Sequence, residues 1–316
     1  NGTNITPQFM ELSEEPVWAN AAISKDGRYI AALRDTSENL VFVFDLLSGT
    51  SRVFRLYNPT TSQNGTKSGD VRYADVLEFD YSGQYIMYDA YNEIIGVSET
   101  INYWDIGFLQ FRSKGQWADN TNPFISKLFS ALPDRTSIGN PVFAKNSPYI
   151  VSFDLYSESI DQHDLLGANT ETGDYDAIVE NNGDWGVPNY NRLDNALIYQ
   201  GPSNSNNYHI YSRALEANKI KGTGQERQFI DNRIWGVWFA NGTRNIILPT
   251  TGADVLTEGL SAAPNPVAAQ THVRFKTAQS ITAYCTLRDM TGHMLYQRTF
   301  DAKEGINQFD VDMEAL

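Results

Sequence analysis

The chain has 316 residues, 41% hydrophobic and 12% aromatic, with 24 Lys and Arg against 38 Asp and Glu, giving a formal net charge of −14 and an isoelectric point near 4.7. So acidic a chain is repelled by phosphate backbones and anionic lipid, which argues against nucleic acid or a membrane surface as partner. No apolar run reaches the roughly 18 residues of a membrane-spanning helix, so no membrane insertion is expected, and the single cysteine, Cys285, excludes any disulfide within the chain.

The chain opens at Asn1 with no initiator Met, basic stretch or apolar leader, so it is expected to be a mature or excised piece with sequence upstream. Ile5 to Leu12 has a strand-like pattern ended by Pro16. Val17 to Leu33 then reads as two short strands joined by a tight turn at Lys25-Asp26-Gly27, where Gly supplies φ > 0 at no steric cost. The pattern returns around Gly83, Ser147, Asn195 and Gly242, at intervals of 47 to 64 residues. A hairpin recurring at that period, with strand-like sequence between copies, predicts an all-β fold: a β-propeller of four-stranded blades, with about five blade starts visible.

The first blade is expected from Val17 to about Tyr57, with the apolar run Leu40–Asp45 as a strand buried on both faces. A second covers roughly Tyr73 to Phe129 and carries a longer insertion, Trp117 to Pro133, read with one helical turn. The third runs from Asn140 to about Glu180 and the fourth from Trp185 to about Asp231. A fifth start, Ile234 to Leu248, supplies two strands, which could join the strand at residues 5–12 in a shared closing blade. The propeller region is thus placed at 1–250 and a polar linker at 251–259. A small β-sandwich of alternating strands is expected at 260–316.

Residues 17–248 resemble the TolB-like propeller repeats, whose mark is an apolar strand, a Ser-x-Asp-Gly turn and then Arg/Lys-x-Ile-Ala; Ser24 to Ala31 carries it most fully. That resemblance implies the fold and no particular activity. Residues 260–316 resemble the type A C-terminal sorting domain of cargo of the type IX secretion system. The matching pieces are Pro264-Asn265-Pro266, the strand-turn-strand Leu287–Met294 with Asp289 and Gly292, Gly305-Ile306-Asn307, and Phe309–Leu316. The family's closing Pro-x-Gly-x-Tyr segment is not part of this sequence. The resemblance implies export through the periplasm to the outside or the outer surface of a Bacteroidota-type bacterium, with the type IX machinery as partner.

Nothing in the sequence carries a catalytic signature. Gly-x-Ser-x-Gly, His-Glu-x-x-His and the phosphate-binding glycine loops are all missing, and no cofactor or metal is expected. His163, flanked by Asp161 and Asp164, reads as a polar loop rather than a metal site. The informative pair is Trp185-Gly186-Val187 and Trp235-Gly236-Val237, placed at the starts of inner strands. With Trp18 and Asp75 they would stand at the mouth of a central channel, as a platform for a protein, glycan or small ligand; the alternative is that they fill space between blades. The expected role is a non-catalytic binding or scaffolding region of a secreted or surface-displayed protein. The rival readings are an enzyme, either an extracellular peptidase or glycoside hydrolase whose catalytic domain lies upstream or a propeller hydrolase whose carboxylates the sequence does not single out, and a purely structural surface component.

Overall fold

Alternating sequence and tight turns build a succession of antiparallel sheets in the computed structural model of the chain. The structure describes residues 17–59, 62–63, 66–67, 69–95, 100–113, 115–202, 207–238, 256–263, 270–278, 280–288 and 294–312. Its contacts divide the chain into one unit of Asn1–Ser113 with Trp117–Asn241 and a second of Gly242–Leu316 with Lys114–Gln116.

Among the described residues, the first unit contains four four-stranded meanders. One is β1 (Trp18–Ile23), β2 (Tyr29–Arg34), β3 (Leu40–Asp45) and β4 (Thr50–Arg55). A short pair, β5 (Ser62–Gln63) and β6 (Thr66–Lys67), leads to the next sheet: β7 (Asp70–Phe79), β8 (Tyr85–Ile95) and β9 (Thr100–Gln110). The small pair β10 (Arg112–Ser113) and β11 (Gln116–Trp117) precedes its outer strand β12 (Phe124–Lys127). The third sheet is β13 (Thr136–Phe143), β14 (Ile150–Ser157), β15 (Gln162–Asn169) and β16 (Tyr175–Val179). The fourth is β17 (Asn189–Tyr190), β18 (Ala196–Pro202), β19 (Tyr208–Leu215) and β20 (Gly222–Ile230). Strand β1 touches β7, β7 touches β13, and β13 touches β17, so the leading strands lie together on the inside and each sheet is a propeller blade. The helical turn expected between Trp117 and Pro133 is replaced by β11 and β12, because Phe124–Lys127 pairs with the edge of β9 from Phe124↔Gln110 to Lys127↔Gly107. The strand expected at 5–12 and the fifth start beyond Trp238 lie outside the described residues.

Neighbouring blades pack face to face. Tyr29, Val41 and Phe54 of the first share a buried cluster with Phe79, Ile86 and Phe111 of the second. Ile150, Leu165 and Ile178 of the third share another with Tyr190, Tyr199 and Ile220 of the fourth. The first hairpin turns are held locally: Gly27 and Gly83 take φ of 72° and 63°, while the Ser24 hydroxyl accepts the Tyr29 N–H at 2.8 Å and Asp80 accepts those of Gln84 and Tyr85. In the fourth blade the turn residue Asp194 is fully buried and reaches the preceding blade. Its carboxylate accepts the N–H groups of Lys145 and Asn146 and the Ser147 hydroxyl.

The second unit is a small sandwich. One sheet orders β21 (Leu256–Ala263), β22 (Gln270–Thr277) and β25 (Gly305–Asp312); the other pairs β23 (Ile281–Arg288) with β24 (Met294–Ala302). Phe275 and Phe309 of the first meet Phe300 of the second, with ring centroids 4.7 to 5.7 Å apart. Residues 256–259 of the expected linker belong to β21, and 251–255 lie outside the described residues. Of Pro264, Asn265, Pro266, Asp289, Gly292 and Gly305 only Gly305 is described, with φ of 98° at the head of β25; the other five lie outside the described residues.

The third and fourth blades approach so closely that a Cβ on Gly167 would stand 2.5 Å from the Cα of Ile220. Gly167→Ala therefore forces the blades apart and is expected to lower stability by about 1–3 kcal/mol in urea denaturation. Gly173→Asn meets no atom but places a side chain on a left-handed backbone at φ of 80°, so it should cost about 0.5–1 kcal/mol, less than Gly167→Ala.

Candidate functional site

Three equivalent polar side chains organise the inner edge of the blades. The residue that closes each hairpin turn is Tyr29, Tyr85, Ile150 or Ala196, whose carbonyl accepts from Ser24, Asp80, Ala144 or Asn191 respectively. Four residues further along the second strand stand Leu33, Asp89, Asp154 and Gln200. The last three are 2%, 1% and 8% exposed, buried polar groups in strands that pack into the core.

Each collects backbone N–H groups from the next segment of chain. Asp89 accepts Val76 N–H of its own blade and Asn140 N–H of the third, both at 2.9 Å. Asp154 accepts Gly186 N–H at 2.7 Å and Val187 N–H at 2.9 Å, and the Asn140 side-chain amide donates to it at 2.8 Å. Gln200 accepts Trp235 N–H at 3.0 Å and donates to the Trp185 carbonyl at 3.1 Å. The captured residues Asn140, Val187 and Trp235 have φ of 49°, 46° and 53°. For a β-branched valine and a tryptophan that is a strained conformation, held because the buried acceptor binds it. This capture also breaks the strand expected from Trp185: β17 starts only at Asn189.

Between these segments lies a hollow of about 310 Å³. Asp75 and Asp89 line it from the second blade with Trp104, and Gly139 and Asn140 from the third. Asp184, Trp185, Val187 and Gln200 line it from the fourth, and Trp235 from the segment that follows. A Cβ on Gly139 would lie 3.4 Å from Asp89 Oδ2, 3.7 Å from Trp185 and 4.0 Å from Trp104, so this glycine leaves the floor open. Aromatic groups continue the walls. Trp104 packs against Tyr73 and Tyr91 at 5.6 and 5.3 Å. Trp185 packs against His163 at 5.4 Å, which itself stacks on Tyr156 at 4.3 Å. Burial lowers the His163 pKa, favouring a neutral ring there.

Three of the residues singled out from sequence, Asp75, Trp185 and Trp235, therefore line one hollow. Trp18 does not: it packs edge-on against Phe42 and Phe44 at 5.2 and 5.8 Å in the first blade, with the Arg34 guanidinium over its ring. Asp161 accepts from Tyr156, and Asp164 from Gln162 and Asn181 N–H. Among the described residues no cluster of His, Cys, Asp and Glu is placed to hold a metal ion. Sequence reasoning missed Trp104 and the acceptors Asp89, Asp154 and Gln200. The signal available for the acceptors was a polar residue in a largely buried strand, four residues past the one that closes the turn.

Burial raises two of these carboxyls. Asp89 is pushed well above the usual carboxylate range by burial and by its hydrogen bond to the Asp75 carboxyl. Burial pushes Asp154 up to about 7 against the pull of its N–H donors.

No family model and no curated protein matches the chain. Among solved structures, a protein described as TolB from Agrobacterium tumefaciens is similar at 12% identity and a TM-score of 0.44, over 96% of this chain and 92% of that one. The calcium-binding protein regucalcin of Agrobacterium tumefaciens is similar at 9% and 0.43, over 90% and 76%. TolB of Acinetobacter baumannii is similar at 12% and 0.42, over 91% and 55%. At such values nothing of these proteins' activities transfers to this chain.

A folded pKa near 7 for Asp154 against 3.8 for the free group means that the folded chain holds more protons between about pH 4 and 7. This group's contribution is then full below pH 4 and lost as pH rises through 7. The stability difference between the wild type and Asp154→Asn, read from urea midpoints, should shift in favour of the wild type as pH falls from 8 to 5. A difference independent of pH would contradict the assignment.

Proposed function

We propose that the propeller unit is a non-catalytic binding module whose ligand seats in the hollow lined by Asp75, Trp104, Asp184, Trp185 and Trp235. The observation that carries this is the preformed site: indole side chains and carboxyls gathered around one concavity, with the backbone of Asn140, Val187 and Trp235 captured at positive φ beside them. Its volume is at the lower end of small-ligand sites, and flat rings beside polar groups suit stacking plus hydrogen bonding. The Asp75–Asp89 pair does not support glycoside hydrolysis. The two carboxyls hydrogen-bond each other, whereas that chemistry needs them about 5–9.5 Å apart, and both Asp89 oxygens already hold backbone N–H groups.

The small sandwich is read as the export signal of a secreted or surface-displayed protein, resting on its resemblance to type IX sorting domains. In a bacterium with that machinery, and behind a periplasmic signal peptide, the chain should reach the medium or outer surface. Deleting residues 256–316 should leave it in the periplasm, and equal export of both forms would contradict this reading.

For the hollow, thermal-shift measurements with a panel of sugars, amines and short peptides compare the wild type with Trp185→Ala/Trp235→Ala, the fold of both checked by far-ultraviolet circular dichroism. At least one compound should raise the melting temperature of the wild type by a few degrees and leave the double variant unmoved. Shifts equal in the two proteins would place binding elsewhere.

A further inference from the structure

We propose that the group bound in this hollow is an organic cation, an ammonium or guanidinium on a short alkyl stem. This rests on the reading that the hollow is a ligand site and narrows the ligand to a chemical class.

The argument starts from how the other carboxylates of this unit are treated. Buried Asp45 holds Arg28 at 2.6 Å, Asp105 holds Lys127, and Asp194 has Lys219 at 3.8 Å. Nearer the surface, Glu78 holds Lys25, Glu93 holds Arg72, and Asp176 holds Lys221. The hollow breaks this pattern. Asp75, Asp89 and Asp184 line it, and Asp154 lies behind Gly186 and Val187. Among the described residues no lysine or arginine forms an ion pair with any of the four or lines the hollow; His163, behind Trp185 and within reach of the Asp184 charge, is favoured neutral by burial. Asp75 and Asp89 share a hydrogen bond, and Asp184 accepts the Trp185 N–H and the Tyr208 hydroxyl, so the acids are held by hydrogen bonds rather than by an opposite charge, and an incoming cation would supply that charge at the mouth.

The rest of the wall fits the same class. Trp104, Trp185 and Trp235 line the same space, and indole is the side chain with the strongest attraction for a cation over its face. An ammonium group has three N–H donors and no acceptor, which matches a wall whose charged groups are all acceptors. A bare metal ion fits less well, since it needs several ligands converging within bonding distance, and the described residues offer no such cluster. A neutral sugar would gain the stacking but would leave the carboxyls without a counter-charge. Asp75 is exposed at the mouth, where it would meet a cation entering on its stem. That cation could belong to a free polyamine or to a lysine or arginine side chain of a peptide; the hollow's chemistry is the same for both.

The test is titration calorimetry of the full chain with 1,5-diaminopentane, agmatine, the peptide Gly-Lys-Gly, 1,5-pentanediol and methyl glucoside. The expected result is saturable binding of the cationic probes and none of the diol. Affinity should fall about tenfold in Asp75→Asn, and again as salt is raised from 50 to 500 mM. A peptide bound more tightly than the free diamine identifies a protein side chain as the source, and the reverse order a polyamine. Binding of methyl glucoside, lost in Trp185→Ala but indifferent to Asp75→Asn, with no binding of the amines, overturns the cation while leaving the hollow as a ligand site. If every probe gives the same result in the wild type and Trp185→Ala, the hollow itself is excluded. Asp75 is exposed but hydrogen-bonds Asp89, so the fold of Asp75→Asn is checked by far-ultraviolet circular dichroism and its urea midpoint before affinities are compared.

Discussion

Blades of a propeller are not hydrogen-bonded to one another as strands within a sheet are, so the backbone at their inner ends must find partners elsewhere. Here side chains supply them. Asp89, Asp154 and Gln200 stand at one position of three successive blades and reach across to the N–H groups of Asn140, Gly186, Val187 and Trp235. A buried N–H left without a partner costs about 1–3 kcal/mol, and a buried carboxylate without donors costs more. Each therefore requires the other, and the mutual capture fixes the backbone in conformations that valine and tryptophan otherwise avoid. In the first blade the equivalent residue is Leu33, which can make no such bond. Its inner strand carries Trp18 into an aromatic contact within its own blade instead, outside the hollow.

The same device gives the hollow its charge. Using carboxyls as backbone acceptors concentrates acidic groups at the inner ends of the blades. The protein compensates other buried acids with lysine or arginine, as at Asp45 and Asp105, but these are held by N–H and O–H donors and by each other. The result is a wall that is acidic, aromatic and rigid before any ligand arrives. Preorganisation of that kind lowers the cost of binding, because the side chains that meet the ligand are already ordered. The small sandwich closes its core with three phenylalanines and is a separate unit of the chain.

Much of the architecture was legible in the sequence because propeller blades repeat their turn chemistry. Asp-Gly at 26–27 and the Ser82-Gly83 turn announce their hairpins, and the period between them gives the blade. The insertion after Trp117 misled because Phe124–Lys127 is short and lies among loop residues; only its pairing with β9 makes it a strand. At the site, Trp185 and Trp235 stood out as a repeated Trp-Gly-Val. Asp89, Asp154 and Gln200 did not, because each is a different sequence in a different strand, and their equivalence appears only when strands are aligned on the turn hydrogen bonds. Trp104 comes from a third strand, and nothing local to Tyr103-Trp104-Asp105 says that it faces the first strand of the next blade.

The measurement that bears most directly on this account is amide hydrogen exchange at Asn140, Val187 and Trp235. All three sit outside ordinary strand pairing at these N–H groups, and each is bound by a buried side chain. The account predicts slow exchange there, with protection in the Asn140 and Val187 amides matching that of core strands such as β8 and β14 and opening only with global unfolding. Exchange at the rate of open turns would mean that the acceptors do not hold the inner ends of the blades, and that the hollow is not preformed.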